Sequence, residues 1–272
     1  MSAPELCCPR CRARDARGQL IVHALGPAEG GLGCPGCGEL YPLVDGVPLV
    51  LRDLDAWLAS EAPAVLARRD LPGPTRARLL QGASGALGRA RQLEAAWATP
   101  PGGTLPARVR ALVEPLPGPL LDLGCGTGAL HGRADATGLE LCFTRARAYC
   151  GRGVVGDAHD PPFRAGSFQS LLLLNLIDAC REPLLVLQQA DALLRPGGAL
   201  LLTTPWCWND AVTPPGERID PGSLPDLLRG RRGLPLDYEL LAEEDGLTWR
   251  VATGPRVVHE YRCQLLLARK RA

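Results

Sequence analysis

The sequence predicts an α/β fold: a doubly wound, mostly parallel sheet whose last strand is antiparallel, preceded by a small cysteine-bearing ribbon and a helical connector. Three observations carry this. From residue 106 onward, short apolar runs alternate with segments of helical spacing. A glycine-rich turn, Gly124-Cys125-Gly126-Thr127-Gly128, follows the first of those runs directly. Two Cys-x-x-Cys pairs stand near the N-terminus. The chain has 272 residues, enough for one large domain or two small ones.

The ribbon comes first. Cys8-Pro9-Arg10-Cys11 and Cys34-Pro35-Gly36-Cys37 give the spacing C-x2-C-x22-C-x2-C. Each pair turns two sulfurs toward one point, and two such turns complete a tetrahedral thiolate set for Zn2+. Cys7 is a candidate substitute, but Cys8 has the right spacing. Residues 39–51 read as a strand, an Asp45-Gly46 turn and a second short strand. The remaining cysteines (Cys125, Cys142, Cys150, Cys180, Cys207, Cys263) are scattered and read as core or loop thiols. Cys8-Pro9, Cys34-Pro35, Gly38, Tyr41-Pro42 and Asp45-Gly46-Val47-Pro48 together resemble the small zinc-ribbon family that includes the tRNA-methyltransferase activator subunit. The resemblance covers residues 1–52.

Residues 53–105 differ in composition. Stretches 55–59, 64–69 and 79–97 have helical propensity, broken by Pro72-Gly73-Pro74 and ended by Pro100-Pro101-Gly102-Gly103. Arg68, Arg69, Arg76, Arg78, Arg89 and Arg91 fall here, and read more simply as a solvated helix side than as a basic face.

The third segment, 106–272, carries the strand and helix alternation. The pattern predicts a helix over 107–113, strands over 119–123, 154–156 and 170–176, a helix over 183–194 opened by Pro183, a tight turn at Arg195-Pro196-Gly197-Gly198 and a strand over 199–203. Strands over 247–251 and 260–268 read as an antiparallel edge hairpin.

Composition bounds the function. The chain is 46% hydrophobic and 22% charged with a net charge of +1, which excludes wholly disordered and collagen-like classes and a global field for nucleic acid or membrane. The 32 glycines and 26 prolines imply many loops. No basic n-region precedes an apolar run at the N-terminus, and the longest apolar runs fall well short of the about 20 residues a membrane helix needs. A cytoplasmic, reducing location is the expectation, where cysteines serve as metal ligands or buried thiols.

Asp122-Leu123-Gly124-Cys125-Gly126-Thr127-Gly128 resembles the first motif of the class I S-adenosylmethionine-dependent methyltransferases. Glu140, in Gly138-Leu139-Glu140, Asp157, in Gly156-Asp157-Ala158, Asp160-Pro161-Pro162-Phe163 and Leu194-Arg195-Pro196-Gly197-Gly198 extend the resemblance over 106–272. It implies a Rossmann-like methyltransferase domain that binds S-adenosyl-L-methionine through Asp122, Gly124, Cys125, Gly126, Gly128, Glu140, Leu141, Asp157, Ala158 and Asn175. Glu140 would hold the ribose hydroxyls, since a carboxylate accepts two hydrogen bonds from a diol. Asp157 would reach the adenine amine.

Two departures stand out. Only nine residues, 129–137, separate Gly128 from Gly138, about 13 Å as full helix. The family's first helix, which presents its N-terminus to the cofactor, must be two turns or partly unwound here. Gln169 also stands where the family often has Asp.

Methyl transfer is an in-line displacement in which the protein supplies proximity and alignment. Asn175, Asp178 and His159, near the carboxyl ends of the predicted strands, are the candidate catalytic groups. Trp206 and Trp208 are candidates for an aromatic wall, with Asn209 beside them. The stretch 202–214 is similar to the methyltransferase part of ovothiol-type enzymes, which implies a small, flat, nitrogen-bearing acceptor such as an imidazole.

Three functions fit. The first is a small-molecule methyltransferase with a structural zinc ribbon. The second is an RNA methyltransferase, since a ribbon before a methyltransferase domain also resembles bacterial 23S rRNA guanine methyltransferases and Arg10, Arg12, Arg14 and Arg17 cluster on the first knuckle. The chain lacks a Pro-Pro-Tyr base-amine motif after the fourth strand. The third is a degenerate adaptor whose ribbon docks a partner protein.

Overall fold

Seven strands make the main sheet, and the leucine-dense centres of its middle strands leave neither face exposed. In the computed structural model, residues 4–14, 20–58, 101–231, 233–254 and 256–271 are described. The predicted connector helices of 64–69 and 79–97, with their arginines, lie outside these residues; residues 54–58 are helical.

The ribbon holds a two-stranded pair, β1 (Ala13–Arg14) and β2 (Leu20–Ile21), and an antiparallel meander of β3 (Gly26–Ala28), β4 (Gly31–Gly33), β5 (Leu40–Val44) and β6 (Val47–Pro48). The β5–β6 turn has positive φ at both Asp45 (54°) and Gly46 (76°), the type I′ geometry that matches strand twist.

The α/β part begins with α1 (Leu105–Val113), then β7 (Leu120–Leu123), β8 (Thr137–Glu140), α2 (Phe143–Ala148), β9 (Arg152–Val155), β10 (Phe168–Leu174), α3 (Pro183–Leu193), β11 (Leu194–Thr204), α4 (Leu224–Leu228), β12 (Tyr238–Gly254) and β13 (Val257–Lys270). The sheet order is β12-β13-β11-β10-β7-β8-β9. The strands β9, β8, β7, β10 and β11 are parallel, and β13 is antiparallel to β11. This is the mostly parallel sheet with an antiparallel end that the sequence predicts. The central β10 and β7 are buried on both faces, as their leucine-rich runs require.

Three segments differ from expectation. Arg195-Pro196-Gly197-Gly198 is not a separate turn: it bulges within β11, where Leu194 pairs with Phe168 and the ladder resumes at Ala199 with Ser170. The final hairpin is much longer than 247–251 and 260–268. Ahead of the expected strand, Glu243 and Glu244 already pair with Leu266 and Leu265, and Glu244 accepts a hydrogen bond from Arg108 at 2.7 Å. No helix forms between β7 and β8. Gly128 O accepts from His131 N–H at 3.2 Å and from Gly132 N–H at 2.9 Å, closing one turn that Gly132, at φ 69°, ends. Arg133 then reaches across to the carbonyls of Val113 and Leu116, each at 2.9 Å, and so caps the exit of α1.

The ribbon is seated on the β9 edge of the sheet. Val50 N–H donates to Val155 O at 2.8 Å and Leu49 pairs with Val155 in parallel, so residues 49–50 extend the sheet by one short strand. Cys7 N–H donates to Pro162 O at 2.8 Å. Val44, Val47, Leu49, Leu54, Trp57 and Leu58 share one buried cluster with Phe143, Ala146 and Val155. This covers an edge that would otherwise offer unpaired backbone groups.

Candidate functional site

Parallel strands aim their carboxyl ends at one side of the sheet, where connecting loops meet and ligands bind. Two adjoining cavities lie there. One, of about 140 Å³, is walled by Asp122, residues 124–131, Glu140, Asn175, Trp249 and Val251, among others. The second, of about 370 Å³, is walled by Gly124, Glu140, Leu141, Gly156, Asp157, Ala158, His159 and Asn175. Gly124, Glu140 and Asn175 belong to both walls. The structure therefore brings every predicted cofactor-binding residue to one cleft.

The glycine-rich loop leaves β7 with Gly124, Gly126 and Gly128 all at positive φ. Gly128 also needs the space: a Cβ there would sit 2.5 Å from Cys150 Sγ and 2.7 Å from the Tyr149 ring. A Cβ on Gly126 would meet nothing within 4 Å, so backbone faces the opening directly.

Glu140 holds this loop. Its Oε2 accepts from Gly126 N–H at 2.9 Å and its Oε1 from Cys142 N–H at 3.0 Å. Each oxygen retains lone-pair capacity for a further donor.

Beneath the loop lies a group that the sequence reading missed. His131 and Asp122 are both buried, and His131 Nε2 lies 2.9 Å from Asp122 Oδ2. Arg133 N–H donates to His131 Nδ1 at 3.0 Å. Nδ1 is thus an acceptor, so the ring proton sits on Nε2 and is donated to Asp122. Tyr149 Oη approaches the same Nε2 at 3.3 Å. Asp122 Oδ1 is buried with no partner. A histidine in a segment too short for a helix, nine residues after an acid that ends a strand, was the available signal.

At the β9 end, Asp157 Oδ1 accepts both His159 N–H, at 2.9 Å, and the His159 ring at Nδ1, at 2.7 Å. Burial acts to raise the Asp157 carboxyl, but these His159 bonds outweigh it and hold the group below its usual range. His159 Nε2 accepts Glu182 N–H at 3.2 Å. Both ring nitrogens are engaged.

At the β10 end, Asn175 stands at φ 56°, a strained setting for a residue that is not glycine. Thr203 Oγ1 donates to Asn175 Oδ1 at 2.7 Å, which orients the amide and leaves Nδ2 buried without a partner.

Asp178 is buried behind the cleft wall, and its Oδ2 accepts Cys207 N–H at 2.9 Å. Burial lifts its pKa above the ordinary carboxylate value, with the Cys207 bond opposing. A raised folded pKa favours the protonated folded state. The resulting stability is present in acid and is lost as pH rises through the raised value. Asp178→Asn keeps the oxygen acceptor and removes the charge. Thermal melts should show the variant a few degrees more stable at neutral pH, with the gap closing below the ordinary Asp value. A constant gap across pH would refute this.

Trp206 and Trp208 lie 6.0 Å apart and pack against the main core, Trp206 Nε1 donating to Gln264; neither lines the two cavities. The aromatic wall comes instead from Trp249 on the terminal hairpin, which the alternation along β12 carried but a two-tryptophan motif obscured.

In the ribbon, the sulfurs of Cys8, Cys11, Cys34 and Cys37 all lie within 4.8 Å of one another, with Cys8–Cys37 at 3.7 Å and Cys11–Cys34 at 3.4 Å. Sulfurs around a tetrahedral Zn2+ with 2.3 Å bonds stand about 3.8 Å apart, so the donor set fits zinc. Burial works against the Cys34 thiolate, but the Gly36 and Cys37 amides outweigh it and bring the thiol down to about 7. Cys7 is buried elsewhere and is not in the cluster.

Residues 121–202 match the family model described as a methyltransferase domain. The match spans β7 to β11, the parallel core of the sheet, and S-adenosylmethionine is the methyl donor that such a domain implies. No match was found among curated proteins. Among solved structures, a SAM-dependent methyltransferase from Thermotoga maritima, described as a possible histamine N-methyltransferase, is 16% identical, with a TM-score of 0.44 over 61% of this chain and 88% of its own. The Haloferax volcanii complex of the Trm112 methyltransferase activator with a candidate methyltransferase gives 13% identity and a TM-score of 0.45 over 68% of this chain and 95% of the matched one. The YcgJ protein from Bacillus subtilis gives 11% identity and a TM-score of 0.40 over 56% and 92%. Among the described residues no helix is long and apolar enough to cross a membrane.

Proposed function

We propose that the chain binds S-adenosylmethionine in this cleft and transfers its methyl group to a nitrogen of a small, flat acceptor, with Zn2+ in the ribbon as a structural metal. The observation that supports this is the single cleft at the strand carboxyl ends, shared by the glycine-rich loop, Glu140, Asp157 and Asn175. The bound sulfonium supplies the electrophilic methyl carbon. Glu140, with Leu141 beside it, takes the ribose hydroxyls on the lone pairs that its backbone donors leave. Asp157 and Ala158 take the adenine edge.

The candidate catalytic groups support a nitrogen acceptor. His159 has both nitrogens engaged, Asp178 is enclosed behind Cys207, and Asn175 is not a base. An acceptor that already carries a lone pair, such as a neutral imidazole or amine nitrogen, needs no deprotonation before attack. Positioning by Asn175 and the loop then suffices.

The RNA reading draws less support from Arg10 and Arg12, which are paired with Glu39 and Asp160; Arg17 and the Arg14 side chain lie outside what the structure describes. The adaptor reading is weakened likewise, since the ribbon's pairing edge at residues 49–50 is occupied by the chain's own β9.

Calorimetric titration with S-adenosylhomocysteine tests the reading. Wild-type protein should bind at micromolar Kd, and Glu140→Ala should weaken binding about 100-fold, because two charge-assisted loop bonds and the ribose contacts disappear together. Methylation of one member of an imidazole and amine panel, thiol-histidine included, would fix the acceptor class. No binding by folded wild type would overturn the proposal.

A further inference from the structure

The β12–β13 hairpin outgrows the sheet. The last pair between β13 and β11 is Gln264 with Thr204, and beyond it β13 continues against β12, up to Val257 with Gly254. Because β13 runs against β11, this free-standing arm rises over the carboxyl ends of the parallel strands, on the side of the cleft.

Register decides what the arm presents. Leu247 opposes Cys263, Trp249 opposes Tyr261 and Val251 opposes His259. With period two, these six residues share one face. Thr248, Arg250, Glu260 and Arg262 share the other, where Arg250 and Glu260 pair at 2.6 Å. The apolar face meets the cleft, since Trp249 and Val251 wall the smaller cavity opposite the glycine-rich loop. The Trp249 and Tyr261 rings lie 5.1 Å apart.

A second segment fastens the arm. Gly102 and Arg250 exchange backbone hydrogen bonds at 3.0 and 2.9 Å, and Thr104 and Thr248 exchange side-chain to backbone bonds at 2.9 Å. Gly103, at φ 98°, has no room for a Cβ, which would lie 2.2 Å from Thr248 O. The arm is therefore held in place where Trp249 and Val251 wall the cavity.

In the wall of this one cavity, which Arg145 also lines, Asp122 Oδ1, Asn175 Nδ2 and Trp249 Nε1 are buried without hydrogen-bond partners. A buried orphan costs about 1–3 kcal/mol, so three around one cavity point to a ligand that satisfies them. One is an anionic acceptor and two are donors. A zwitterionic α-amino acid end, with an ammonium and a carboxylate, has the complementary set.

We infer that Trp249, carried on the hairpin arm, holds the amino-acid end of the methyl donor: its indole N–H and the Asn175 amide receive the carboxylate, and Asp122 faces the ammonium. This rests on the cofactor reading above, and deepens it by giving the terminal hairpin a binding role.

The test compares two ligands on the full zinc-loaded chain. S-adenosylhomocysteine carries the amino-acid end; 5′-methylthioadenosine has the same nucleoside and thioether without it. Trp249→Phe keeps the ring and deletes the donor. It should weaken S-adenosylhomocysteine about tenfold or more and leave methylthioadenosine unchanged, which also shows that the variant is folded. Asn175→Asp, which turns a donor toward the carboxylate into a like charge, should give the same selective loss by an independent route. Equal weakening of both ligands, or of neither, in both variants overturns the assignment. Failure of wild type to bind either ligand overturns the cofactor reading itself, a distinct result.

Discussion

Stripping the metal from the ribbon will destabilise the methyltransferase domain as well as the ribbon. Purified protein should carry one zinc per chain by elemental analysis, and Cys34→Ser or exhaustive chelation should lower the Tm by at least about 10 °C. The size follows from two facts. A structural zinc site contributes several kcal/mol or more of folding free energy, and a domain of this size loses about 2–4 °C per kcal/mol. The reach follows from the interface. Arg12, next to the ligand Cys11, donates to Asp160 at 2.8 Å, and Arg52 donates to the other Asp160 oxygen at 2.7 Å. Asp160 closes the turn that begins at Asp157, Asp160 N–H donating to Asp157 O at 3.1 Å. Losing the ribbon also uncovers β9 and the cluster around Phe143 and Val155. Affinity for S-adenosylhomocysteine should therefore fall with the metal. Metal-free protein with unchanged Tm and unchanged affinity would show the ribbon to be ornamental.

The parts legible in the sequence were those set by short-range chemistry. The Cys-x-x-Cys pairs, the Asp45-Gly46 turn, the β7 run ending at Gly124 and the helix opened by Pro183 each depend on a few adjacent residues, and each lies where it was expected. The parts that were not legible depend on distant partners. Residues 243 and 244 carry no apolar alternation to mark a strand, and join one only through Leu266 and Leu265 opposite them. The sequence Arg195-Pro196-Gly197-Gly198 looks like a turn until β10 draws both its flanks into one ladder. The tryptophans behave similarly: Trp206 and Trp208 drew attention as a motif, whereas Trp249, one of an alternating apolar set with Leu247 and Val251, comes to the cleft on a hairpin longer than the sequence suggested. For the site, Glu140 and Asp157 were readable because one ends β8 and the other stands two residues past β9. The hold that Glu140 has on Gly126 was not readable, because it joins residues fourteen apart through a backbone amide.

The buried His131–Asp122 pair should be the most sensitive point in the α/β domain. His131→Ala leaves the Asp122 carboxylate, 1% exposed, without its imidazole donor. Leaving a buried charged acceptor without its hydrogen-bond donor costs about 3 kcal/mol, a Tm fall of roughly 10 °C at this size. The damage is electrostatic more than volumetric, and that is what a double-mutant cycle decides. Asp122→Asn in the His131→Ala background removes the stranded charge, and denaturant unfolding should recover a large part of the loss; a cavity effect alone would leave the second substitution without benefit. Binding separates from stability at the same position. The double variant, restored in Tm, should still bind S-adenosylhomocysteine weakly, because the uncharged amide no longer faces an ammonium, while 5′-methylthioadenosine binds as in wild type. Recovery of both stability and S-adenosylhomocysteine affinity would assign Asp122 to the scaffold alone. Recovery of stability without affinity assigns it both tasks: one carboxylate oxygen anchoring the loop through His131, the other turned to the ligand.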